Sequence, residues 1–262
     1  MKTLTSHPAA PDEGIALHPQ RGGWLQPIRQ YGEYVLGGLT ALGMMLTIWA
    51  AFLYAPTDAV QGDVQRIMYF HVPMAWLAYL SFFIVFVASI VYLLRRDSRW
   101  DWAARASAEI GVVFTTLVLI SGSIWGKAFW GTWWDGEPRL TTTLVLWFIY
   151  VAYLLLRFYG GRTEGSARGA AVLGIIGFVD VPIVHFAVTW WRGLHPDGYV
   201  LQGTSSNMPM PAFLALMLAL VTFTLLYAFL MLQLYRLERY TTEAQRLRAI
   251  VEYGDDGDIS AS

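Results

Sequence analysis

The sequence predicts an all-α protein, a polytopic membrane bundle of six transmembrane helices with both termini cytoplasmic. The first observation behind this is a charge deficit: 56% of the 262 residues are hydrophobic and 14% are charged, where a soluble domain carries about 25% charged residues. The second is where the deficit falls. Uncharged apolar blocks begin near Tyr34, Phe70, Ala103, Leu140, Ala170 and Pro211, each close to the roughly 20 residues that a helix needs to cross a bilayer core. The third is the distribution of basic residues. With six spans, Lys2, Arg21, Arg29, Arg95, Arg96, Arg99, Arg105, Arg157, Arg162, Arg168, Arg236, Arg239, Arg246 and Arg248 share one side, leaving Arg66, Lys127, Arg139 and Arg192 on the other. Basic residues accumulate on the cytoplasmic side of short loops, which sets the orientation.

Taken in order, residues 1–33 form a flexible cytoplasmic tail rich in Pro, His and Gly. The tail lacks the apolar stretch of a cleaved signal peptide, so the first span is expected to serve as its own signal. The spans are expected at 34–55, 69–94, 103–124, 140–159, 170–191 and 211–235, the whole forming one membrane domain over 34–235. Residues 236–262 make a C-terminal cytoplasmic tail, helical and of mixed charge before an acidic end, expected to be solvated. A net charge of −1 leaves no nucleic-acid footprint. The absence of cysteine excludes thiolate metal sites, disulfides and covalent thioether attachment of a cofactor.

The far side carries the unusual residues. Trp125, Trp130, Trp133 and Trp134 fall in the extracytoplasmic loop 125–139, and Trp190 and Trp191 lead into the last outer loop. Tryptophans at a membrane boundary are commonly interfacial anchors. A dense run interleaved with Gly126 and Gly131 fits a built surface better, because belts scatter singly around a bundle. Of the five histidines, His7 and His18 lie in the tail and His195 is expected on a loop surface. His71 opens span two and His185 lies in span five. At about 1.5 Å per residue, both fall within one or two turns of the outer interface. Neither has a carboxylate one turn away on its own helix: Ile67 and Ala75 flank His71, and Val181 and Thr189 flank His185.

Two histidines at one depth under an aromatic loop suit a planar apolar cofactor such as haem, whose iron takes axial imidazole nitrogen. Its propionates would need cations, and Arg66, Arg139 and Arg192 are the outer arginines available. Hydrogen-bonded packing histidines remain the open alternative. Asp180 is the one acid well inside a span. It stands five residues, about 140° of helix, from His185, which favours a structural hydrogen bond between helices over a place at the cofactor. Glu109 is expected to pair with Arg105. No nucleophile or acid–base pair stands out, so the chain does not read as an enzyme.

Three stretches resemble a known family. Arg66 to Trp76 looks like its first histidine segment, Trp125 to Thr141 its tryptophan motif, and Gly174 to Phe186 with Trp190-Trp191-Arg192 its second histidine segment. The family is CcmC, haem exporter C, the haem-delivery subunit of bacterial cytochrome c maturation, among haem-handling proteins with a tryptophan-rich loop. The resemblance covers about 31–235. It implies an inner-membrane protein holding haem b non-covalently, with His71 and His185 as iron ligands and Trp125, Trp130, Trp133 and Trp134 in the haem platform. It further implies hand-over to a membrane-anchored periplasmic haem chaperone, within an ABC-type complex of an ATP-binding subunit, a permease-like subunit and a small helical subunit. Gly136 and Glu137 depart from the family's usual Trp-Asp, and Asp180 stands where Asn is frequent. Two other readings compete: a membrane cytochrome b that retains a bis-histidine haem for electron transfer, and a permease in which His71, Asp180 and His185 line a polar path, expected to show discontinuous spans.

The basic asymmetry predicts that a reporter fused after Tyr235 behaves as cytoplasmic and one inserted at Gly131 as extracytoplasmic. The opposite result at either site would reverse the orientation.

Overall fold

A computed structural model describes residues 25–191 and 208–259. The described chain is helical without a named strand; its one bridge joins Asp58 to Gly62 in a turn. Helix α1 (Leu25–Trp49) runs on through a wider π turn, Ala50–Tyr54. A 3-10 turn, Asp63–Ile67, leads into α2 (Met68–Arg95), followed by α3 (Ser98–Trp130), α4 (Pro138–Tyr159), α5 (Glu164–Phe178), α6 (Asp180–Trp191) and α7 (Met210–Ile259). Six stretches are long and apolar enough to cross a membrane, α5 and α6 together making one. Between 22% and 44% of each is buried within the protein, so most of this apolar surface needs a hydrocarbon solvent. The protein is a multi-pass membrane protein.

The helix ends are set by local chemistry. Arg96 takes a left-handed conformation (φ 58°) to close α2, and the Asp97 carboxylate accepts from the Arg99 N–H at 2.9 Å to open α3. Gly131 (φ 82°) closes α3 without the steric cost a side chain would meet there. Pro138 sits in the first turn of α4, where its missing N–H costs nothing. Thr163 caps α5 by accepting from the Ser166 N–H at 3.2 Å.

Helices α2 and α3 form the central hairpin, and small residues let them touch. A Cβ on Gly111 would come within 2.5 Å of the Phe82 ring. The Ser107 hydroxyl donates to the Ser81 carbonyl at 2.8 Å and lies 2.7 Å from the Tyr227 hydroxyl of α7. On the other flank Gly174 of α5 packs against Val85 and Ser89, and its carbonyl accepts from the Tyr150 hydroxyl of α4 at 3.1 Å. Close approach at small residues with interhelical hydrogen bonds is how helices associate where lipid offers no hydrophobic incentive. Helix α1 packs at the edge on α7, with a Thr47–Thr222 hydroxyl contact at 3.2 Å.

At the arginine-rich end, ion pairs tie four helices. Arg157 of α4 meets Asp101 of α3 at 2.6 Å, and Glu238 of α7 receives both Arg105 of α3, at 3.3 Å, and Arg162 of the α4–α5 turn, at 2.8 Å. Arg236 also pairs with Glu33 of α1. Arg105 reaches Glu109 at 3.4 Å, as the sequence led us to expect.

Four expectations about extent differ from the structure. The first helix begins at Leu25 rather than 34, and α3 runs to Trp130, so the first part of loop 125–139 is helix. The helix of the last span continues into the segment after 235 that the sequence predicts to be helical, but Glu238 there is buried rather than solvated. The fifth span breaks at Val179. Pro182 explains the break: it has no N–H for the Phe178 carbonyl, and its ring would collide with that carbonyl in a continuous helix.

Arg157→Ala leaves the largely shielded Asp101 carboxylate without its nearest cation, the buried Arg157. The expected cost is about 3–5 kcal/mol, read as a lower unfolding midpoint in detergent. The double Asp101→Leu, Arg157→Leu variant should recover most of the loss.

Candidate functional site

At the end opposite the ion pairs, a cavity of about 830 Å³ opens between α2, α3, α4, α6 and α7. Its walls are mostly apolar: Met68, Val72, Ala75, Trp76 and Tyr79 from α2, Val118, Gly122, Trp125 and Trp130 from α3, and Leu220, Val221 and Leu225 from α7. The loop after α3 adds Thr132, Trp133, Trp134, Asp135 and Glu137; α4 adds Arg139, Leu140 and Thr143; α6 adds His185. His71 and His185 therefore line one cavity, together with all four tryptophans of the sequence motif and Arg139.

His71 is buried in the first turn of α2, 2.8 Å through Nδ1 from the Ser121 hydroxyl. That hydroxyl donates onward to the Leu117 carbonyl at 2.7 Å, which leaves its oxygen to accept. With the hydroxyl oriented in that way Nδ1 is the donor, the tautomer in which Nε2 suits a metal ligand. Trp125 stands edge-on to the imidazole with centroids 5.7 Å apart and is itself anchored by its Nε1–H to the Gln61 side-chain oxygen at 2.9 Å. Gly122 makes room for the ring: a Cβ there would lie 3.2 Å from His71 Cε1.

His185 is different. It is exposed, on the short helix α6 beyond the break, with Phe186 edge-on at 5.0 Å. Arg139 donates to the His185 carbonyl at 3.0 Å and to that of Val184 at 3.4 Å, fixing the backbone that carries the imidazole. His185, Trp76 and Tyr79 also line a second, shallower groove with Phe178, Pro182 and Phe186, and Trp76 donates through Nε1 to the Thr224 hydroxyl of α7 at 3.1 Å.

The loop is shaped by its glycines and acids. Gly136 has φ 78°, a left-handed turn that a tryptophan would hold only under strain, so the departure from the usual motif has a backbone role here. Glu137 caps α4 by accepting from the Leu140 N–H at 2.8 Å, and its second oxygen is buried without a hydrogen-bond partner among the described residues.

Arg66 is placed away from this cavity. It donates to the Ala51 carbonyl at 2.5 Å and to the Thr57 hydroxyl at 3.2 Å, and it pairs with Asp63 at 3.0 Å, clamping the π turn that ends the first span. Arg192 and His195, like His7 and His18, lie outside the described residues. Asp180 heads α6, buried, and does not line the cavity; its Oδ2 has no hydrogen-bond partner among the described residues. Sequence reasoning missed Ser121 and Gly122, one turn before Trp125, and the α7 wall at 220–225. Small and aliphatic residues carry no chemical signature of their own.

An aromatic-walled, largely apolar cavity lined by two imidazoles and an arginine thus lies near one end of the bundle of a multi-pass membrane protein. The family model described as "Heme exporter protein C" matches residues 23–250, and the chain belongs to that family. It is 38% identical over 191 residues to a "Putative cytochrome c biosynthesis ccmC-like mitochondrial protein" of Marchantia polymorpha, covering 71% of this chain and 79% of the relative. A "Heme exporter protein C" of Bradyrhizobium diazoefficiens is 36% identical over 203 residues (78% and 77%), and one of Haemophilus influenzae 34% identical over 238 residues (88% and 94%).

The difference in exposure predicts unequal reactivity. Diethyl pyrocarbonate should modify His185 faster than His71, and Ser121→Ala should raise the His71 rate by removing one of the contacts that hold its ring. Mass spectrometry of the modified peptides reads both, and equal rates in the wild type would contradict the geometry.

Proposed function

We propose that this protein binds haem b non-covalently at the extracytoplasmic face of the bacterial inner membrane and delivers it to a membrane-anchored periplasmic haem chaperone for cytochrome c maturation. The observation that carries the reading is that His71 and His185 line one apolar, tryptophan-walled cavity at the end of the bundle away from the arginine-rich loops. Family membership supports haem as the cargo and cytochrome c biogenesis as the setting. The basic asymmetry supports cytoplasmic termini and an outward-facing cavity.

The residues present suit such a cargo. The cavity volume lies within the roughly 300–1,000 Å³ of small-molecule sites. The tryptophans offer faces and edges to a macrocycle, and the imidazoles offer ligands to its iron. Arg139 is the arginine in the lining available to a propionate, as a second duty beside the carbonyls it holds. The two histidines have different parts. His71, buried and hydrogen-bonded through Nδ1, is the stationary ligand. His185, exposed on a helix that packs on α4 and the end of α5, is the ligand that yields when cargo leaves. Trp133 and Trp134, more exposed than the buried His71, present the rim to the chaperone. An ATP-binding subunit, a permease-like subunit and a small helical subunit complete the proposed complex.

An exposed ligand at an open cavity favours hand-over over the retained haem of an electron-transfer cytochrome. The break at Val179 is the discontinuous span that a permease would show, but Asp180 stands apart from the cavity that both histidines line, so the three do not form one polar path.

His71→Ala and His185→Ala should each abolish maturation and turn a six-coordinate haem spectrum into weaker or mixed ligation. The double variant should add little, since the ligands act as one unit. Unchanged spectra with full haem content in both single variants would place the iron elsewhere. Ala at Trp130, Trp133 and Trp134 should lower chaperone loading while the protein still inserts, and Phe should be milder. Normal loading by the Ala variants would reduce the tryptophans to interfacial anchors.

A further inference from the structure

Helix α7 does not stop with its membrane span. It continues to Ile259, and up to Glu252 one side of the extension is exposed. Glu238 and Thr242 face the bundle, through Arg105 and Arg162. On the opposite side Leu237, Tyr240, Ala244, Leu247 and Val251 form a stripe. All are exposed, and the four large ones are each more than half exposed. Their spacing alternates three and four residues. That repeat of about 3.5 is the seam of a coiled coil, whereas a helix facing a broad surface buries a wider band.

We propose that this stripe is a parallel coiled-coil seam that joins α7 to α7 of a second copy of the chain. Two copies in one bilayer share their orientation, so their α7 helices must run parallel. With Leu237 at a, the d positions are Tyr240 and Leu247, and Glu243 falls at g and Arg248 at the e position of the following heptad. In a parallel pair those two positions face each other across the seam. Their charges are opposite, and symmetry forms the contact twice. Both side chains are exposed, and neither makes an ion pair within the chain among the described residues. The topology and the charges thus call for the same arrangement. Alanine at the middle a position allows close approach of the backbones. Two heptads are too short to nucleate a helix in water, but α7 enters the seam already helical from its membrane span. Confinement to one membrane raises the effective concentration of the partner.

The chain has no cysteine, so an introduced thiol reports its own position. In vesicles at low protein density, mild oxidation of Leu247→Cys should give a cross-linked dimer, because facing d positions bring Cα atoms within disulfide range. Arg246→Cys, exposed but off the seam, should cross-link far less. Glu243→Arg should weaken association about tenfold, as two ion pairs become repulsions, and adding Arg248→Glu should restore it by exchanging the charges. The exposed sites make these variants safe for folding, and haem binding serves as the check. Equal cross-linking at 246 and 247, or no rescue by the exchanged pair, overturns the proposal. A wild-type chain that stays monomeric in vesicles also overturns it and leaves the seam to a helix of another protein.

Discussion

The close packing of α2 on α3 is the constraint on which the rest depends. The two helices are joined by the tight turn at Arg96 and Asp97, with a left-handed residue on one side and a side-chain cap on the other. A turn this short fixes the register, because residues equally far from it come opposite each other. Phe82 lies against Gly111, and farther along His71 lies against Ser121 and Gly122. The hydroxyl that orients the His71 imidazole and the glycine that leaves it space are therefore placed by a turn at the other end of the bundle. A one-residue slip would bring a different side chain to Nδ1 and drive Phe82 out of the gap at Gly111.

Much of this was legible in the sequence because a bilayer narrows the choices. Backbone groups in hydrocarbon must be satisfied within their own helix, so apolar length alone located six spans, and charge spacing anticipated the Arg105–Glu109 pair. The two histidines and the tryptophan run were legible as types, and the fold brings them to one cavity. The roles of the arginines were not. Arg66, Arg139 and Arg192 share one chemistry in the sequence, yet Arg66 is spent on the carbonyls of the π turn after α1 and Arg139 on those of α6. An arginine satisfies whichever carbonyl or carboxylate the packing exposes nearby, and that is a tertiary fact. The break at Val179 was half legible: Pro182 was visible, but long membrane helices often carry a proline because neighbours re-satisfy the freed groups.

The two ends of the bundle use opposite chemistry for opposite purposes. At the arginine-rich end, ion pairs lock α3, α4 and α7 through Asp101, Arg157, Arg105, Arg162 and Glu238. Removing one partner from such a network strands a buried charge, so that end resists rearrangement. At the other end the polar contacts described around the cavity are hydrogen bonds rather than ion pairs: between His71 and Ser121, from Trp125 to Gln61, from Trp76 to Thr224, and from Arg139 to the Val184 and His185 carbonyls of α6. Each net contribution is about 1 kcal/mol, and each can be given up and remade. A protein that must accept a ligand and then surrender it gains from this division.

Helix α6 is where the division becomes a device. The break before Pro182 separates it from α5 at Val179, and it packs mainly along α4, with less contact to α5 and little to α2 or α7. Its position is thus held from one side, while the cavity lies on the other. Arg139 grips its backbone at the residue whose imidazole enters the cavity, and Arg139 itself stands in the first turn of α4, whose N-terminus is capped by Glu137 at the end of the tryptophan loop. A displacement of the loop therefore reaches His185 through two contacts, the Glu137 cap and the Arg139 grip, without disturbing His71 on the rigid α2–α3 hairpin. In the proposed hand-over, a partner that engages Trp133 and Trp134 would pull on the exchangeable ligand and leave the stationary one in place. Under that proposal the order of ligand release would follow from which helix each histidine stands on.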